Sequence, residues 1–138
     1  MRRILFIVLL ALAGCQQLPP TPADLQARRF ETAPGMSVIY IVRDKPDHNT
    51  VPATISLDGR MSITTYEGTY YRWEVPAGEH HIAGMFADVG RITLQTQPDR
   101  VYYVQQWTKP FQQYASTYYK PVEEQQARAV ISRSVLVP

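Results

Sequence analysis

Ser37-Val38-Ile39-Tyr40-Ile41-Val42 is almost continuously apolar and rich in β-branched residues, which reads as a strand buried on both of its faces. Pro34-Gly35 opens it, and a turn-rich loop over 43–50, with Pro46, Asp47 and Asn49, closes it. A strand buried on both faces needs a covering layer on each side, so the rest of the chain is read for what supplies them.

Downstream, 53–57 alternates, with Ile55 and Leu57 on one face and Thr54 and Ser56 on the other. Asp58-Gly59 supplies the positive-φ turn of a tight hairpin, and 61–65 runs back. After Glu67-Gly68, the stretch 70–75 places Tyr71, Trp73 and Val75 inward and Arg72 and Glu74 outward. Pro76-Ala77-Gly78 breaks it, 80–86 returns, and 91–96 and 101–107 follow, joined at Pro98-Asp99. Seven short strands about ten residues apart, with Gly or Pro at nearly every gap, predict an all-β antiparallel sandwich or barrel. The absence of strand-helix alternation disfavours a parallel sheet. The stretch 109–120 is polar and aromatic without a clear period, and 122–132 predicts a short C-terminal helix with Pro121 in its first turn. Residues 135–137 add a last strand or simply pack.

Upstream, Gln16 to Gly35 carries Pro19, Pro20, Pro22 and Pro34 among polar residues and reads as an extended linker. At about 3.1 Å per residue it gives a reach of up to roughly 60 Å. A helical turn or two over 24–30 would be marginal without packing. Before it, Arg2 and Arg3 and the apolar run 4–13 form the layout of an export signal, too short to span a bilayer. Leu12-Ala13-Gly14-Cys15 at its end resembles the lipobox of bacterial lipoprotein precursors. The resemblance implies cleavage between Gly14 and Cys15, a diacylglyceryl group on the Cys15 sulfur and a fatty acyl group such as palmitate on its new amino terminus. Two or three chains make a firm anchor where one is marginal. Gln16, where an aspartate tends to retain enterobacterial lipoproteins in the inner membrane, implies the outer membrane, with the domain facing the periplasm. The expected organisation is a signal over 1–14, a lipidated cysteine and tether over 15–35, and a sandwich over 36–138.

The 138 residues less a 14-residue signal leave 124, enough for one small domain and a tether. Lys+Arg 14 against Asp+Glu 12 becomes 12 against 12 once Arg2 and Arg3 leave, so no electrostatic footprint for nucleic acid remains. The single cysteine, Cys15, leaves no internal disulfide, and the core alone must hold the fold.

The apolar first strand, Ile55-Ser56-Leu57-Asp58-Gly59, Tyr71 with Val75-Pro76-Ala77-Gly78-Glu79-His80, Val101-Tyr102-Tyr103-Val104 and the late acidic helix together resemble a family of small bacterial lipoprotein domains of unassigned function. The resemblance covers roughly 35–135. It implies an immunoglobulin- or transthyretin-like sandwich, distantly similar to extracytoplasmic domains named after a Pro-Glu-Gly-Ala signature. Its motifs are structural punctuation and imply no chemistry, and the aromatic stretch 107–119 is longer than the pattern.

Catalytic and metal sites find little support. His80 and His81 are strand neighbours pointing to opposite faces, His48 lies in a distant loop, and a metal wants three or four convergent ligands. Asp58, Asp88 and Asp99 sit in turns that account for them, and no nucleophile elbow occurs. No catalytic residue, metal or cofactor is expected. The aromatics stand out: Trp107, Phe111, Tyr114, Tyr118 and Tyr119, interleaved with glutamines, form the candidate binding surface, set against the simpler reading that they pack the helix onto the sheet. The expected function is a lipid-anchored structural or interaction module of the envelope that meets a protein or peptidoglycan. Alternatives are a small envelope hydrolase or peptidoglycan-modifying enzyme, and an inhibitor or adaptor of an envelope machine.

Overall fold

The computed structural model describes residues 19–48, 50–85, 90–112 and 114–138. Gly14, Cys15 and the rest of the signal and lipobox lie outside them. In chain order the elements are α1 (Pro22–Ala27), β1 (Met36–Arg43), β2 (Ala53–Leu57), β3 (Met61–Thr65), β4 (Thr69–Pro76), β5 (Gly78–Gly84), β6 (Arg91–Thr96), β7 (Arg100–Phe111), β8 (Tyr114–Pro121), α2 (Glu124–Ile131) and β9 (Val135–Leu136). Two sheets form, ordered β8-β7-β1-β4-β9 and β3-β2-β5-β6. Among the described residues no helix is long and apolar enough to cross a membrane.

Strand β1 is buried on both faces, and the two halves of its alternation serve different layers. Ile39 and Ile41 point to the second sheet and join Trp73, Val75 and Val104 with Ile55, Leu57, Ile63 and Ile82. Val38, Tyr40 and Val42 point the other way and join Tyr70 and Tyr103 beneath Ala27 of α1 and Ala127, Val130 and Ile131 of α2. The molecule is therefore a β-sandwich with a helical layer on one outer face.

Several details depart from the sequence reading. The second sheet is antiparallel throughout, but the first is mixed: β1 pairs with β7 in parallel, and β4 with β9 in parallel. Among the described residues no helix connects β1 to β7; the intervening strands shuttle between the two sheets, and this excursion replaces the βαβ crossover. Among the described residues there are nine strands, not about seven, because 109–120 continues β7 and returns as β8, and Val135–Leu136 adds β9. Pro121 ends β8 instead of opening the helix, whose N-cap is Glu123. The hairpin at Asp58-Gly59 is as expected, with positive φ at both residues.

The stretch read as an extended tether contains helix α1, pinned to the domain. The Thr21 hydroxyl caps it by accepting from the Asp24 amide at 3.1 Å. The buried Asp24 carboxylate accepts from the Tyr70 hydroxyl and from Arg28 Nε at 2.8 Å, and Arg28 donates to the carbonyls of Ile131 at 2.9 Å and Ser134 at 2.8 Å. Tyr40 donates its hydroxyl to the Ala27 carbonyl, and Phe30 packs on Tyr40 and Tyr103. A helix too short to persist in water holds because its partners come from β1, β4 and the C-terminus.

Candidate functional site

Strands β7 and β8 form an antiparallel ribbon with Val104 opposite Pro121 and Phe111 opposite Tyr114. Beyond Gln106 it has no β1 partner, since the β1–β7 ladder stops at Arg43 opposite Gln106. Thr108 directs its amide to that open edge, where the Asp47 carboxylate accepts it at 3.1 and 3.2 Å. By alternation Pro110 faces the same edge, so its missing N–H costs no ladder hydrogen bond.

One face of the ribbon carries a continuous row of four side chains. Trp107 and Tyr118, opposite each other, stack with centroids 5.6 Å apart and planes 18° apart. The Lys120 ammonium stands 6.0 Å from the Trp107 ring and the Lys109 ammonium 5.3 Å from the Tyr118 ring. Both lysines are exposed, and among the described residues neither takes part in an ion pair. Of the five aromatics singled out in the sequence, Trp107 and Tyr118 come together. Phe111 is exposed at the ribbon tip, and Tyr114 is its register partner, with a side chain outside the described residues. Tyr119 turns to the opposite face and packs against the inter-sheet core, where burial pushes its phenol up to about 12 despite a hydrogen bond to the Thr117 hydroxyl. Lys109 and Lys120 escaped sequence reasoning because their relation to the rings exists only once the hairpin register is known.

Beside the row, loop 44–48 and the ribbon flank a half-open cleft of about 230 Å³, lined by Asp44, Pro46, Asp47, His48, Gln105, Gln106, Trp107 and Lys120. Its two carboxylates are already engaged. Asp47 pairs with Arg43 at 2.7 Å, both side chains being buried, and Arg43 also donates to the carbonyls of Thr65 and Val51 and to the Thr108 hydroxyl. Asp44 receives Arg133 at 2.7 and 3.1 Å, and that contact holds its carboxyl below the usual range against a smaller opposing effect of burial. The two glutamines point to opposite faces of β7, and Gln105 Oε1, on the Trp107 side, and both amide atoms of Gln106, on the Val104 side, are buried without a hydrogen-bond partner. No other buried side-chain nitrogen or oxygen among the described residues shares that condition.

A second polar cluster lies on the other sheet. His80, 7% exposed, presents Nδ1 to the Asp58 carboxylate at 2.8 Å and Nε2 to the Pro76 carbonyl at 2.7 Å, with its ring edge-on to Trp73. Both ring nitrogens face acceptor oxygens, which ties the turn at Asp58 to the end of β4. His81 faces outward toward Thr93 and Glu79, and His48 lines the cleft on the other sheet's loop. Among the described residues no three His, Cys, Asp or Glu side chains converge as metal ligands.

Compared with protein-family models, with curated proteins and with solved structures, the chain matches none of them.

Proposed function

We propose that this chain is a lipid-anchored module of the bacterial outer membrane that faces the periplasm and binds an envelope partner, protein or peptidoglycan, through the β7–β8 ribbon, without catalysis. The anchor half rests on the export signal and the lipobox-like Leu12-Ala13-Gly14-Cys15, with acyl chains on Cys15. The binding half rests on one observation: Lys120, Trp107, Tyr118 and Lys109 form a cation–ring–ring–cation row on an outer face, where neither apolar cluster of the core needs it. Rings with polar rims and cationic neighbours favour a binding surface over a packing one. The sandwich is proposed to be immunoglobulin- or transthyretin-like and related to the lipoprotein domains it resembles in sequence.

Trp107→Ala and Tyr114→Ala are expected to weaken capture of the partner in a pull-down while the circular dichroism spectrum stays that of the wild type. Crosslinking from position 118 in the intact envelope is expected to trap that partner. Unfolding by both substitutions would show that the ribbon aromatics serve packing and would end the binding reading.

A further inference from the structure

The ladder between β1 and β7 stops at Arg43 opposite Gln106, and β7 runs five residues further to Phe111, so the ribbon overhangs that end of the sheet by about 16 Å. Helix α1 points to the same end. Its Ala27 carbonyl takes the hydroxyl of Tyr40, its Asp24 carboxylate takes that of Tyr70, and Tyr70 stands opposite Val42, next to Arg43. Toward its cap at Thr21 the helix therefore heads the way β1 runs, and the proposed anchor at Cys15 stands six residues before that cap. We infer that the ribbon tip rests against the anionic lipid surface to which the chain is anchored, with Phe111 at the interface and Lys109 on lipid phosphates, an inference that rests on the anchor half of the proposed function.

The chemistry of the tip fits such a surface. Phe111 is 41% exposed and belongs to neither cluster of the core. Lys109, two residues back on the same face of β7, is exposed and takes part in no ion pair among the described residues. From Gln105 to Pro121 the chain holds no aspartate or glutamate, so no charge on the ribbon repels a phosphate. Aromatic rings settle where apolar chains meet water, and lysines lay their stems along apolar surface with the ammonium at the polar boundary. Tyr118, with the Lys109 ammonium 5.3 Å from its ring, stands next in line behind the tip. Lys120 lies opposite Gln105, six residues back from Phe111 and roughly 20 Å away along the strand. A ribbon that meets the membrane by its tip therefore leaves Lys120 and Trp107 clear for the envelope partner.

The test reconstitutes the acylated chain in vesicles of phosphatidylcholine alone and of phosphatidylcholine with phosphatidylglycerol, each carrying a nitroxide-bearing lipid that quenches nearby tryptophan. In the mixed vesicles Phe111→Trp is expected to be quenched, less so as salt is added, and less in the neutral vesicles. Trp73 and Trp107 of the unsubstituted chain are expected to keep their emission. Added to Phe111→Trp, Lys109→Gln is expected to weaken the contact about fivefold, the effect of one charge at an anionic surface, and Lys120→Gln to weaken it far less. If Phe111→Trp fails to fold, broadening of the amide resonances of 109–112 by the same nitroxide lipid decides on the unsubstituted chain. No quenching at position 111, equal quenching in the two vesicle types, or equal effects of the two lysine substitutions would overturn the inference. So would a crosslink from position 111 to a protein in the intact envelope in place of lipid contact. If the purified chain carries no acyl group, the anchor reading has failed, and quenching on adding vesicles to the dissolved chain then decides the affinity of the tip for lipid by itself.

Discussion

Arg43 brings a full charge to the rim of the inter-sheet core with a side chain that is 0% exposed, and the fold responds by giving it Asp47, two carbonyls and a hydroxyl. Removing one member of such a pair strands the other, which costs about 3–5 kcal/mol. Arg43→Met is therefore expected to lower the unfolding free energy by about that amount in urea titration. Adding Asp47→Leu should recover part of the loss, though not all, because Asp47 also caps the Thr108 amide. Asp58 makes a prediction of another kind. Burial alone would raise its carboxyl, but hydrogen bonds from the His80 ring and the His81 amide outweigh this and hold it below the usual range. A carboxyl whose folded pKa is depressed stabilises the fold above its unfolded pKa of about 3.9, and that contribution is lost as pH falls through the lower folded value. In melting curves from neutral to strongly acidic pH, Asp58→Asn should lie below the wild type at the upper end and converge with it at the lower. A gap of constant size would show that the charge of Asp58 is not what stabilises.

At the scale of the element, β1 was legible because alternation on both faces was apolar, and a strand so constituted has to lie inside. The ribbon was not legible for the converse reason. From 109 to 120 one face carries lysines with rings and the other Pro110, Ala115 and Thr117 with Tyr119, so neither face is apolar enough to mark a period. Nor does any period tell which strands are neighbours, and the parallel pairing of β1 with β7 became visible only in the sheet order. The seam where the two sheets approach offers a sharp test. A Cβ built on Gly90 would lie 1.6 Å from the Thr117 carbonyl oxygen, which is backbone and has no rotamer into which to retreat. Gly90→Ala should therefore force β8 away from that edge, at a cost of about 1–3 kcal/mol or more, measurable as a lowered melting temperature. An unchanged melting temperature would mean that the two segments are further apart than this.

At the scale of the molecule, the candidate site was half legible: Trp107 and Tyr118 stood out as aromatics, while the cleft depends on loop 44–48 and the ribbon meeting across sixty residues of sequence. The proposed anchor is tested directly by Cys15→Ser, which should abolish fatty-acid labelling and move the chain to the soluble fraction; persistent labelling would remove Cys15 as the anchor. Helix α1 then changes what an anchor implies. With Asp24 clamped by Tyr70 and Arg28, helix α1 is fixed from its cap at Thr21, which is six residues along the chain from the Cys15 of the proposed anchor. Fully stretched at about 3.3–3.6 Å each, six residues span roughly 20 Å, a third of the reach that the prolines alone suggested. On the proposed anchor, a domain held this close would skim the lipid headgroups, so whatever docked on it would have to come down to the bilayer surface to be met.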